Sequence, residues 1–202
     1  MNKGIILIGA GGHAKVIAEI IEETGATVHT VVESDPAITS LMGYPVTRDI
    51  QVGYPIIIAI GNNSIRKKIA DQNNTEFGKA IHPSANISKR CSVNNGSVVM
   101  AGVSINSGTT IGKHCIINTN ASVDHDCVIS DFVHISPNAA LAGTVTVGEG
   151  SHIGIGSSVI QGIHIGKWVT IGAGAVIIED VPDYAVVVGV PGKIIKYNVL
   201  CY

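Results

Sequence analysis

Residues 111–147 read IGKHCIINTNASVDHDCVISDFVHISPNAALAGTVTV. Ile111, Ile117, Val123, Ile129, Ile135, Leu141 and Val147 stand six residues apart. The same register runs back to Ile81 and forward to Ile177, with an aliphatic residue at every step. Four places after each stands a small or β-branched residue: Cys115, Ala121, Cys127, Val133, Ala139, Val145, and so on from Ala85 to Ala175. An uninterrupted hexapeptide period is the signature of a parallel β-helix. Each hexad makes one flat side of a triangular coil, and three hexads close one turn. The aliphatic residue points inward and the small residue fills the space near the corner. Coils stack at about 4.8 Å, the ordinary strand spacing, so between five and six coils build a prism about 26 Å tall.

Residues before the repeat read differently. Gly4–Ala10, Ala26–Val32 and Ile56–Gly61 are strand runs, and Ala14–Glu23 carries a helical pattern. Ser64 is placed to cap a second helix reaching about Asp71. Alternating strand and helix predicts a small parallel, Rossmann-like α/β domain. The expected organisation is an α/β domain at 1–80, a parallel β-helix at 81–180, and a tail at 181–202 packed on the end of the prism.

Composition agrees with a repetitive β architecture. Glycine accounts for 24 of 202 residues, aromatics for 4% and charged residues for 14%, where about 25% charged is usual. A net charge of −2 without a basic run argues against a nucleic-acid partner. Gly4–Ile21 is broken by His13, Lys15 and Glu19, so no membrane span is expected. Lys3 and the apolar run behind it weakly mimic a secretion signal. The Gly-rich turn and amphipathic stretch that follow make a first strand the better reading. Cys91, Cys115, Cys127 and Cys201 form no CxxC pair. The first three occupy the small-residue position of the repeat, which suits reduced thiols in core packing and a cytosolic protein.

Three groups of residues could carry chemistry. Gly9-Ala10-Gly11-Gly12-His13-Ala14 follows a strand and opens a helix, where backbone N–H groups can meet phosphate. Glu33, after the second strand, could accept from a ribose or base. The alternative is a tight turn, and the domain is too short for two mononucleotide halves. Asp124-His125-Asp126 places a histidine two positions past the inward Val123, hence outward, between carboxylates. It is a general base oriented by its neighbour, or a solvated surface histidine. Gly143 stacks beside it one coil on. Half a coil away, His134 lies on another side, so the two can share a site only across subunits. Asn118, Ser136, Gly154 and Gly172, eighteen apart, form a small-residue column that either accommodates an extended ligand or reflects glycine at corners. His134 and His152 also stack; a zinc site like that of the trimeric gamma-type carbonic anhydrases would need a third histidine at the same place. His114, His125 and His164 fall elsewhere in the coil, so no metal is expected.

The stretches IGAGGHAKVI (8–17), AIGNNSIRKKI (59–69), IHPSA (81–85), NTNASVDHDCVISDFVHISPNAALAG (118–143) and VVVGVPGKII (186–195) together resemble the bacterial sugar acetyltransferases typified by bacillosamine N-acetyltransferases and sialic acid O-acetyltransferases. The resemblance implies a left-handed β-helix, a homotrimer, and acetyl-CoA lying between two prisms. It implies that Gly11, Gly12 and His13 contact the phosphates of a nucleotide-linked amino sugar, with Glu33, Ser34, Gly61 and Asn62 near ribose and base. It assigns Asn118, His134, Gly143, Ile155 and Ala173 to acetyl-CoA, His125 to the base, and Asp126 to the place where relatives often carry Glu. The implied reaction is acetylation of the 4-amino group of a UDP-linked 4-amino-4,6-dideoxy sugar. Alternatives are another nucleotide-linked amino sugar or a sialic acid hydroxyl. The intact Asp-His-Asp and glycines speak against a non-enzymatic binding trimer. Glu33-Ser34-Asp35 departs from the run of two or three Asp common in relatives, which leaves the nucleotide open.

Overall fold

The computed structural model describes residues 4–198; Lys3 and Cys201 lie outside them. The N-terminal unit alternates as expected: β1 (Ile5–Ile8), α1 (Gly12–Glu23), β2 (Val28–Val32), β3 (Ser40–Leu41), β4 (Tyr44–Thr47), β5 (Ile56–Ile58) and α2 (Asn63–Gln72). The sheet order is β3-β4-β2-β1-β5. All pairings are parallel except the β3–β4 hairpin. The sequence pattern carries no signal for that hairpin. Its turn needs positive φ at both Met42 and Gly43, and methionine gives no such signal. Side chains alternate across the sheet. Leu7 packs with Ala14, Ile17 and Ile21 of α1, while Ile6 and Ile8 pack with Ile69 and Ala70 of α2. The α2 cap is Asn62, whose Oδ1 accepts from the Ile65 N–H at 3.0 Å and the Ser64 hydroxyl at 2.8 Å. Ser64 supports the cap rather than being it.

From residue 80 the chain winds into a left-handed parallel β-helix. Two-residue strands stack into three faces. The first face holds 86–87, 104–105, 122–123, 140–141, 158–159 and 176–177; the second runs from 92–93 to 164–165; the third runs from 80–81 to 170–171. Partners are eighteen residues apart, as in Ile117↔Ile135 and Val123↔Leu141. The inward aliphatic and small residues form one continuous core. Cys115 and Cys127 are buried in it, whereas Cys91, near its start, is only half-buried. Ser97, Thr109 and Ser151 turn hydroxyls inward and bridge coils; Ser97 Oγ donates to the Gly112 carbonyl at 2.7 Å and accepts from the Cys115 N–H at 2.9 Å. The tail adds Ala185–Val188 parallel to the third face and Lys193–Tyr197 antiparallel beyond it.

From Gly96 to Gly174 one corner residue in each hexad has left-handed φ: Gly102, Gly108, His114, Asn120, Asp126, Phe132 and onward in steps of six. The column of Asn118, Ser136, Gly154 and Gly172 is not among them. It is also not an exposed strip, since Ser136 and Gly154 are buried. A Cβ on Gly154 would come within 2.4 Å of the Ile171 carbonyl oxygen. Close approach between coils, not corner geometry, requires the small residue there.

The two units meet along the third face. Ala80, Val98, Met100 and Ile116 join the cluster that holds α1 against the sheet. Arg66 is the one buried residue of α2 and is 1% exposed. Its Nε donates to the His114 carbonyl at 2.8 Å, Nη1 to Ile60 and Gly61 carbonyls at 2.9 and 3.2 Å, and Nη2 to Asn63 Oδ1 and the Phe132 carbonyl at 2.8 and 2.9 Å. Burial without a carboxylate partner pushes its pKa down to about 10. Asn63 Nδ2 donates to Gly150 and Ser151 carbonyls, and Lys67 pairs with Glu149 at 3.5 Å.

Replacing Arg66 by Met strands these carbonyls inside the seam. Each buried, unsatisfied acceptor costs about 1–3 kcal/mol, so Arg66→Met is expected to lose about 3 kcal/mol or more of stability. The checks are denaturant unfolding and faster proteolysis between residues 73 and 79. Acid should loosen the same seam. Burial, with Arg66 close by, lowers His13 and His114 to about 4. Burial, with His152, Arg66 and His13, lowers His134 to about 3. The folded state therefore binds fewer protons than the unfolded chain below the ordinary value of about 6.5. The stability these groups contribute is complete above about pH 6.5 and is lost as pH falls toward 4 and then 3. A melting temperature that stays flat from pH 7 to 4 would contradict this.

Candidate active site

The nucleotide-type loops converge because β1, β2 and β5 are parallel neighbours. Gly9–His13 follows β1, Glu33-Ser34 follows β2 and Gly61-Asn62 follows β5, so all three lie at carboxyl ends of strands, the usual ligand position in such sheets. Gly9 has a folding reason to be glycine: φ is +106° and a Cβ would strike Ile60. Gly11, Gly12 and Gly61 have none. Their φ values are ordinary and a Cβ on any of them would meet nothing within 4 Å. The space beside them is open, and Gly11 caps α1 without any side-chain bond to its first N–H groups.

Glu33 is engaged locally. Its Oε2 accepts from the Ala10 N–H at 3.0 Å, and its Oε1 from the Ser34 and Asp35 N–H groups at 2.7 and 3.2 Å. These bonds hold its carboxyl below the usual range. The carboxylate ties the Gly-rich loop to the turn after β2. Ser34 is exposed beside it. Asn62 Oδ1 caps α2, which leaves its amide nitrogen as the free end.

His13 begins α1 and turns inward; its Nε2 is buried without a hydrogen-bond partner. His134 lies on the third face against this loop region. Asn118 Nδ2 donates to His134 Nε2 at 3.1 Å. That assigns the proton of the neutral ring to Nδ1. His134 stacks on His152 at 4.8 Å, and His152 Nε2 meets Ser136 Oγ at 2.7 Å. Among the described residues no three His, Cys, Asp or Glu side chains form a metal-holding group. Ile155 and Ala173, one coil apart, are exposed on the corner between the third and first faces, where the Asn118 column also runs. The fold thus gathers Gly11, Gly12 and Gly61 at one end of the N-terminal sheet, and Asn118, Ile155 and Ala173 at one corner of the prism.

His125, Asp126 and Gly143 are elsewhere. They sit on the corner between the first and second faces, opposite the third face. His125 is 55% exposed on its side chain, and its Nδ1 lies 2.9 Å from Asp126 Oδ2. Asp126 reaches this position from a φ of 57°. The Asp126 hydrogen bond, with the charge of Asp124, raises the imidazole pKa. With Nδ1 donating to Asp126, Nε2 is a free acceptor. It lies over Gly143, where a Cβ would come within 2.5 Å. The Gly143 N–H enters no hydrogen bond among the described residues. This corner presents an oriented base beside an unused donor.

The sequence pattern did not single out Arg66, Asn63 or His114. Arg66 stands in a polar helix, RKKIADQ, with nothing in the spacing to separate the buried arginine from its exposed neighbours.

Comparison with known proteins identifies the family. Residues 4–73 match the family model of the PglD N-terminal domain. A histidine variant of perosamine N-acetyltransferase from Caulobacter crescentus, in complex with CoA and GDP-perosamine, is 40% identical with a TM-score of 0.92, covering 97% of this chain and 98% of that one. The acetyltransferase domain of PglB from Neisseria gonorrhoeae FA1090, in complex with acetyl coenzyme A, is 39% identical with a TM-score of 0.89, covering 96% and 100%. UDP-N-acetylbacillosamine N-acetyltransferase from Bacillus subtilis (strain 168) is 40% identical over 116 residues, 49% of this chain and 52% of that protein. That match spans about half the length of the curated relative. Fold, strand-end loops and near full-length similarity together place the chain in the family of bacterial sugar acetyltransferases typified by the bacillosamine N-acetyltransferases.

Proposed function

We propose that this protein transfers the acetyl group of acetyl-CoA to the amino group of a nucleotide-linked amino sugar, with His125 as general base. The observation that carries the reading is the His125 imidazole, held at Nδ1 by Asp126, with Nε2 free over Gly143. The acceptor is the 4-amino group of a UDP-linked 4-amino-4,6-dideoxy sugar; the Bacillus subtilis relative is named for a UDP-linked sugar, UDP-N-acetylbacillosamine. A GDP-linked amino sugar is the second reading. It is favoured by the near full-length similarity to the enzyme crystallised with GDP-perosamine, and Glu33-Ser34-Asp35 leaves the nucleotide open. The free thiols of Cys91, Cys115 and Cys127 suit a cytoplasmic reaction.

In this reading Gly11, Gly12 and the first N–H groups of α1 hold the diphosphate, and Gly61 and Asn62 border the nucleoside. Acetyl-CoA lies along Asn118, His134, Ile155 and Ala173. The neutral amine attacks the thioester carbonyl, forming the C–N bond, and the C–S bond breaks. Nε2 of His125 takes the amine proton and returns it to the departing thiolate. Asp126 fixes the ring and stabilises the imidazolium. The Gly143 N–H stabilises the carbonyl oxygen as it gains charge. The base lies on the edge opposite the sugar-binding loops, so one chain cannot complete the site. A homotrimer, in which each His125 faces a neighbour's loops, does so.

The deciding experiment is thiol release from acetyl-CoA with UDP- and GDP-linked 4-amino sugars offered separately, and the product identified by mass spectrometry. Saturable release with the UDP sugar is expected. Release with the GDP sugar alone would establish the second reading, and none with either would overturn both. His125→Ala should lose about 10²–10⁴-fold in kcat while the trimer, measured by light scattering, persists. Gly12→Ala should leave the melting temperature unchanged, because nothing crowds that position. It should raise the KM of the nucleotide sugar about tenfold, the equivalent of about 1.4 kcal/mol of lost binding.

A further inference from the structure

The turn that carries His125 is fastened to the coil beneath it at four points. Asn106 Nδ2 donates to Asp124 Oδ1 at 2.7 Å. The Asp126 N–H donates to the Ser107 carbonyl at 3.0 Å. Thr109 Oγ1 donates to the Asp124 carbonyl at 2.6 Å and accepts from the Cys127 N–H at 3.0 Å. Asp124 Oδ1 also accepts the His125 N–H at 2.8 Å. From above, the Thr144 N–H binds the His125 carbonyl at 2.9 Å.

These attachments differ in kind. The Thr109 bridge is a device of the fold, since Ser97 and Ser151 make the same bridge where no chemistry is placed. The Asn106–Asp124 bond is not. Its column runs Ser88, Asn106, Asp124, Ala142, Ile160, Ile178. Among the described residues, this is the column's one side-chain bond between coils, and it stands under the residue that precedes the histidine.

We propose that Asn106 and Asp124 are positioning residues for acetyl transfer: Asn106 holds the Asp124 carboxylate, and Asp124 holds the His125 backbone so that the imidazole stays between Asp126 and Gly143. The inference rests on the reading of His125 as the base. It has an electrostatic consequence. The coil below presents Asn106, Ser107 and Gly108, and the coil above Ala142, Gly143 and Thr144. None of these titrates, so within this chain the charges facing the imidazole are Asp124 and Asp126. Asn106 and the His125 N–H keep the Asp124 carboxyl below its usual range. The flanking charge then favours the imidazolium that forms when the amine gives up its proton.

Three substitutions in the full chain separate the roles. Asp124→Ala and Asn106→Ala should lower kcat about 10- to 100-fold, the scale of a misplaced reacting group, with both KM values within about twofold. Asp124→Asn keeps an acceptor for both bonds and loses only the charge. It should recover most of kcat, while the acid limb of kcat/KM moves to lower pH. Titration of the His125 ring by NMR, assigned with His125→Gln, should show the same lowering without any turnover. Wild-type kcat in Asp124→Ala together with an unshifted ring titration in Asp124→Asn would overturn the proposal. If wild-type protein acetylates no nucleotide sugar, the reading of His125 as the base fails. The His125 ring signals of Asn106→Ala then decide positioning alone, loss of the single wild-type ring orientation supporting it and an unchanged orientation refuting it.

Discussion

The Arg66 guanidinium fixes how the two halves of this protein face each other. It is buried, and its donors end on carbonyl and amide oxygens, not on a carboxylate. An arginine in that setting is held by geometry, since every acceptor must be in place at once to offset its desolvation. Two acceptors, His114 and Phe132, belong to successive coils of the prism. The others, Ile60, Gly61 and Asn63, belong to the loop and helix start after β5. One side chain therefore couples the glycine-lined loops to the coil spacing of the β-helix. The loops that are read as nucleotide-binding are carried at a set height beside His134.

The prism itself works as a ruler. Each hexad advances the chain by one face, so residues eighteen apart stack and residues nine apart cannot meet within a subunit. That arithmetic places His125 and Gly143 together and keeps His134 on another face. It also explains why a surface turn can be rigid. The His125 corner is bonded to coils above and below, and no long loop intervenes. An exposed histidine gains orientation from its neighbours rather than from burial. Its basicity follows from two carboxylates in a turn with left-handed φ at Asp126. The buried histidines of the seam are the opposite case, kept neutral by desolvation.

The glycines divide along the same line. Gly154 is small because the next coil's backbone is in contact, and Gly9 because of its φ and Ile60. Gly11, Gly12 and Gly61 are small with neither reason. A glycine that the fold does not need is the residue to expect where another molecule's atoms come close. The contrast depends on comparing positions within one structure, since all five read alike as letters.

The sequence alone determined the architecture. A strict six-residue period of inward aliphatics specifies coil, face and stacking partner, because side-chain direction in a two-residue strand is fixed by position. It also placed His125 outward, with Gly143 above it and His134 on another side. The alternation of strand and helix predicted the N-terminal unit, except for the β3–β4 hairpin, whose turn depends on an unusual φ at Met42. The tertiary structure decided what periodicity does not encode. Arg66 is indistinguishable from its neighbours until a second unit packs over it. The small-residue column is closed by coil contact, although its letters equally suit an open strip. Asn62, not Ser64, caps α2, and the period stacks Asn106 on Asp124 without showing that their side chains bond. Local patterns record which way a side chain points; which partners satisfy it depends on elements far apart in the chain, brought together by folding.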